Sequence, residues 1–173
     1  MMIDLAVKAG FERAAAVKTA DIPIEFAFRG FCEQNICGQY GKNYSCPPDC
    51  GTPEQMRDKI LSKKRALVVQ SVNKIVDYSE KEIRSAKSRH CNFAVRLENL
   101  LKSSGVEGFT VGACGCTICN PCLKELSLPC KCPERAFSCM SAYCINVKKL
   151  CDTCGFEYNL SPHLALFGMY VFD

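Results

Sequence analysis

A chain of 173 residues with 15 cysteines, two histidines and a formal charge of +4 is long enough for one domain, residues 1–173, and too short for two large ones. The odd cysteine count, the early Asp4 and the lack of any long apolar run argue against a secreted disulfide scaffold or a membrane span, and for a cytoplasmic protein whose thiols bind metal. The positive charge counts thiols as neutral, and clusters held by thiolates are net negative, so a nucleic-acid partner is not expected.

Residues 2–9 read as a short helix, and residues 13–20 as an ambiguous segment with strand character. A polar, glycine-rich loop carrying Cys32, Cys37, Cys46 and Cys50 follows. Thr52-Pro53-Glu54-Gln55 is a helix start, with Thr at the N-cap, Pro in the first turn and Gln three residues on to close a capping box. That helix is expected to run to about Lys63, where Lys63-Lys64-Arg65 complements the negative end of its dipole. Residues 66–72 are a compact apolar run suited to a buried strand.

A second capping box, Ser79-Glu80-Lys81-Glu82, opens a long helix ended by Gly105. Ile83, Ala86, His90, Phe93, Ala94, Leu97, Leu100 and Leu101 form its apolar stripe, which makes His90 a core residue rather than a catalytic base. Residues 108–113 are the next strand, and strand, long helix, strand implies a right-handed parallel crossover. A short helix near 147–154 and a strand over 164–171 close the chain. The expected fold is α+β: a small sheet with a parallel strand-helix-strand crossover, flanking helices and two Cys-rich metal loops.

The densest chemical signal is Cys116-Thr117-Ile118-Cys119-Asn120-Pro121-Cys122, followed by Cys130 and Cys132 just before Pro133. A thiolate every third residue on one tight loop reaches three corners of a compact inorganic cube, and a more distant cysteine, often one before proline, completes it. A single zinc more often draws on paired thiolates from two separated knuckles. The run therefore favours a 4Fe-4S iron–sulfur cluster, with zinc as the alternative. Two histidines nearly exclude mixed cysteine–histidine sites, and soft thiolates select zinc, copper(I) and iron–sulfur over magnesium or calcium.

In the first loop Gly38 and Gly41 let backbone amides approach a cluster, and Pro47 and Pro48 stiffen the chain behind Cys46. Its four thiols suffice for a second site, so one or two clusters are expected, with Tyr40 and Lys42 as candidate cofactor contacts. Cys91 reads as a small hydrophobe beside the helix stripe and Cys114 as a bystander or resolving thiol. Cys144, Cys151 and Cys154 keep helical spacing with Met140 and Val147 and read mainly as core. No nucleophile signature, phosphate loop or dinucleotide fingerprint is present.

The first loop, Cys-x4-Cys-Gly-x-Tyr-Gly-Lys-x3-Cys-Pro-Pro from Cys32 to Pro48, together with the Cys-x2-Cys-x2-Cys ladder, resembles a family of small cysteine-rich predicted metal-binding proteins. The likeness covers nearly the whole chain. It implies Cys32, Cys37 and Cys46 as ligands in the first loop and Cys116, Cys119, Cys122 and Cys130 in the second. Cys132 stands where the family carries histidine before proline, which leaves Cys130 and Cys132 as rivals for one position. The expected function is electron transfer or redox sensing with a redox partner protein. The alternatives are a zinc-stabilised binding module and an enzyme with an open-site iron–sulfur cluster.

Overall fold

The computed structural model describes residues 1–173. Four strands, β1 (Arg13–Lys18), β2 (Arg65–Asn73), β3 (Gly108–Val111) and β4 (Leu164–Phe172), form one sheet in the order β1-β2-β4-β3. Every neighbouring pair is antiparallel, with Val68 opposite Ala15 and Met169, and Thr110 opposite Tyr170. The parallel crossover expected from the sequence is therefore wrong.

The reason is topological. The long helix α4 (Glu80–Ser103) joins β2 to β3 as expected, but β4 inserts between those two strands and pairs antiparallel with both. A crossover relates the directions of the strands at its ends, and does not decide whether a third fills the gap. The composition of β2 misleads as well. Ala66 and Val68 join a core with Met56, Ile60, Leu150 and Met169, while Leu67 and Val69 join another with Ala94, Leu97, Leu101 and Tyr170. A strand covered on both faces reads as a continuous apolar run, a pattern most familiar from parallel sheets. Full burial of each such Val or Leu contributes about 1.5–3 kcal/mol, so this sheet is held from both sides.

Local signals are realised closely. Helix α1 (Met2–Ala9) precedes β1, and α2 (Arg29–Glu33) carries Cys32 of the first loop. Helix α3 (Pro53–Leu61) has its complete capping box: Thr52 Oγ1 accepts from the Gln55 amide at 3.3 Å, and Gln55 Oε1 from the Thr52 amide at 2.8 Å. At α4 the box is half formed. Ser79 Oγ accepts from the Glu82 amide at 3.4 Å, but the Glu82 carboxylate turns to the amides of Val76 and Asp77, at 3.0 and 3.1 Å.

The basic run after α3 also makes contacts of its own. Lys63 pairs with Asp173 at 2.6 Å, and Arg65 begins β2 and donates to the Asp173 carbonyl at 2.7 Å. His90 is fully buried, with Nδ1 2.7 Å from Ser71 Oγ and its ring edge-on to Phe11, as a core residue. Met140, Cys144 and Cys151, the last on α5 (Val147–Cys154), are also buried core. No helix is long and apolar enough to cross a membrane.

Two isolated bridges position the cysteine loops. Past the end of β3, the Gly112 amide donates to the Ser138 carbonyl at 2.9 Å, and the Met140 amide to the Gly112 carbonyl at 3.0 Å, making a parallel bridge between Gly112 and Cys139. Ile24 bridges Ile145 antiparallel just ahead of the first loop. Residues 138–146 thus hold both cysteine loops against the sheet.

Candidate metal centres

Between Gly112 and Cys139 the chain has only two short 3-10 turns, Leu123–Leu126 and Pro133–Arg135. The first begins directly after Cys122 and folds the chain back, bringing Cys130 and Cys132 to Cys116, Cys119 and Cys122 around one cavity. Ile118, Leu123, Ala136, Tyr44 and Asn43 complete the wall. Burial pushes the Cys116 thiol up, opposed by the amide of Ile118; the charges of Cys130, Cys122 and Cys119, in falling order, add to the rise.

A second group forms around the first loop. Helix α2 presents Cys32, and Gly41, at φ 69°, turns the chain so that its amide donates to the Pro47 carbonyl at 2.9 Å behind Cys46. Burial pushes Cys32 up to about 11 and Cys46 up to about 12. For both thiols the largest influence after burial is the charge of Cys139, ahead of Cys37 and Cys50. Cys139, held by the Gly112 bridge, is thus a neighbour of this group, as it is of Cys114. The sequence reading missed it, because its position in the chain says nothing about the first loop.

Arg29 was missed too. Its buried guanidinium places Nη1 3.8 Å from Cys50 Sγ and donates from Nη2 to the Ala142 carbonyl at 3.0 Å, while Nε has no protein partner. Its charge lowers Cys50 and Cys32 against the upward push of burial. Lys42 is exposed and Tyr40 half-buried, and their neighbours Asn43 and Tyr44 wall the cavity of the Cys116–Cys122 ladder.

The two groups adjoin. Asn43 and Ser45 are buried, and Asn43 Oδ1 accepts from the Ser45 amide and hydroxyl at 3.0 and 2.9 Å. Asn43 Nδ2 donates to the Cys116 carbonyl at 2.9 Å, and the Cys116 amide donates to Ser45 Oγ at 2.7 Å. Buried polar groups satisfied reciprocally in this way fix one loop to the other. Gly115 makes the contact close: a Cβ there would lie 2.8 Å from Cys46 Sγ. Farther out, Lys124 pairs with Asp49 at 2.6 Å and Tyr44 donates to the Leu128 carbonyl at 3.0 Å.

Beside these groups, Cys91 and Cys114 meet with sulfurs 3.2 Å apart, while Cys151 and Cys154 pack in the core. No three His, Cys, Asp or Glu side chains converge as ligands of a single ion. The chemistry of the gathered donors nevertheless fits a soft metal. All are sulfur, and the raised thiols stay protonated near neutrality until a cation displaces their protons.

An antiparallel sheet whose edge carries two adjoining groups of thiols defines a cysteine-rich protein equipped to bind metal. Residues 15–172 match the family described as predicted metal-binding protein (DUF2284), and the chain belongs to that family. No curated protein and no solved structure matches it.

Proposed function

We propose that this is an iron–sulfur protein holding up to two four-iron clusters, and that it serves electron transfer or redox sensing with a redox partner protein. The observation that carries this reading is the ring of five thiols, Cys116, Cys119, Cys122, Cys130 and Cys132, around one cavity. A lone tetrahedral ion takes four ligands at about 2.3 Å from each sulfur, whereas a cube spreads its thiolates over several metals.

Cys116, Cys119 and Cys122 would hold one cluster, with Cys130 as the fourth ligand. Cys130 is favoured over Cys132 because it matches the cysteine that the family resemblance implies, and Cys132 stands at a position where the family carries another residue. Cys32, Cys37, Cys46 and Cys139 would hold the other, since Cys50 is engaged by Arg29. The bound cluster supplies a one-electron couple. The chain's own part is to exclude water with Ile118, Leu123 and Tyr44, to offset the negative thiolates with Arg29, and to keep the two groups adjoining through Asn43 and Ser45.

Protein purified without oxygen is expected to contain about four irons and four acid-labile sulfides per occupied site. Stoichiometric zinc with no sulfide overturns the proposal in favour of a zinc-stabilised binding module.

A further inference from the structure

We propose that Cys91 and Cys114 form a reversible disulfide, a redox-modification site distinct from the metal ligands, which ties α4 to the chain entering the second cysteine ladder.

The two thiols reach each other from independent scaffolds. Cys91 lies on α4, 6% exposed, in the helix that packs along the sheet. Cys114 is partly buried just beyond Gly112, whose backbone is pinned on both sides by the Ser138 and Met140 hydrogen bonds. Their sulfurs stand 3.2 Å apart although 23 residues separate them in sequence. A disulfide needs about 2.05 Å between sulfurs, so the two already stand within about 1.2 Å of bonding distance. Neither cysteine lines the second cavity, and neither belongs to the first loop.

The difference in exposure orders the chemistry. Cys114 Sγ, the more accessible, attacks a small-molecule disulfide, forming a mixed disulfide and expelling one thiol. Cys91 Sγ then attacks the Cys114 sulfur and expels the second thiol. The protein loses two electrons and two protons, and the small disulfide becomes two thiols. The new bond closes a loop through the C-terminal half of α4 and all of β3 and anchors the chain two residues before Cys116. In the oxidised protein the entrance to the ladder is therefore held in place, whichever metal the ladder carries.

The test uses the metal-loaded full chain, purified without oxygen and incubated with oxidised glutathione. Mass spectrometry of a non-reducing digest is expected to find one peptide pair joining Cys91 to Cys114, lost on treatment with dithiothreitol. Cys91→Ala should instead accumulate glutathione on Cys114, and Cys114→Ala should give neither product, with wild-type metal content in both variants. Oxidised wild-type protein should release metal to a chelator several-fold more slowly than reduced protein. A Cys114 bridge to Cys116 or Cys139, or both thiols still open to alkylation after oxidation, overturns the proposal. Loss of metal in Cys114→Ala overturns it as well, by making Cys114 a ligand. The cross-link does not depend on whether iron or zinc is bound, so its failure is separable from failure of the iron–sulfur reading.

Discussion

Replacing Gly115 with alanine tests whether the two cysteine loops form one unit. The added Cβ would lie 2.8 Å from Cys46 Sγ, 3.2 Å from Ser45 Oγ and 3.7 Å from Asn43 Nδ2, where ordinary contacts begin at 3.4 Å. Backbone strain is not at issue, because Gly115 is outside the left-handed region. The sulfur would have to retreat by roughly half an ångström, yet Cys46 is buried and its amide is fixed to the Asn43 carbonyl at 2.9 Å. Overpacking of this kind costs about 1–3 kcal/mol. Should the loops part, the bond from the Cys116 amide to Ser45 Oγ at 2.7 Å is lost too, for about 1 kcal/mol more.

The expected total is about 2–4 kcal/mol, with Tm falling about 2–4 °C per kcal/mol in a protein of this size. Denaturation of the metal-free protein measures the cost, and metal analysis of the loaded protein should show reduced occupancy at both loops. Gly30→Ala is the control: nothing lies within 4 Å of its Cβ position and it sits in α2, so its effect should be within about 0.5 kcal/mol or slightly stabilising. Cys46→Ala should cost less in the Gly115→Ala background than alone, by at least about 0.5 kcal/mol in the metal-free protein. Wild-type stability and full metal content in Gly115→Ala would refute the contact.

Metal analysis of serine variants checks the ligands. Cys119→Ser and Cys130→Ser should empty the second site and Cys132→Ser should spare it, the reverse outcome for the last two making the cysteine before proline the ligand. In the first loop Cys139→Ser should lower metal content more than Cys50→Ser, and equal effects would count against Cys139. The pH dependence of the metal-free protein is a separate check. Burial raises Cys32 to about 11 and Cys46 to about 12 from 9.0, so above the unfolded value the folded state keeps protons that the unfolded chain releases. Their contribution is fully present below pH 9.0 and is lost as pH rises through about 11 and 12, so the urea midpoint should drop between those limits, and a flat profile would contradict the burial of these thiols.

Much of this protein is written in short-range chemistry that its sequence alone determined. The cap of α3 needs only Thr52 and Gln55, the buried face of α4 follows from residues spaced three and four apart, and the turn after Cys122 returns Cys130 and Cys132 to their own ladder. Each of these depends on neighbours within about twenty residues, so the pattern and the structure coincide. Strand order was not legible in that way. Whether β4 would insert between β2 and β3 depended on which arrangement covers both faces of three apolar strands, and periodicity within each strand is silent on that. The same holds for the partners that complete the thiol groups. Cys139 reaches the first loop through a bridge to Gly112, Arg29 meets Cys50 and the Ala142 carbonyl, and Cys91 meets Cys114 across the gap from helix to sheet edge. Residue type pointed to sulfur as the candidate metal ligand; only the folded backbone decided which sulfurs lie together, because proximity between distant residues is set by packing and not by spacing along the chain.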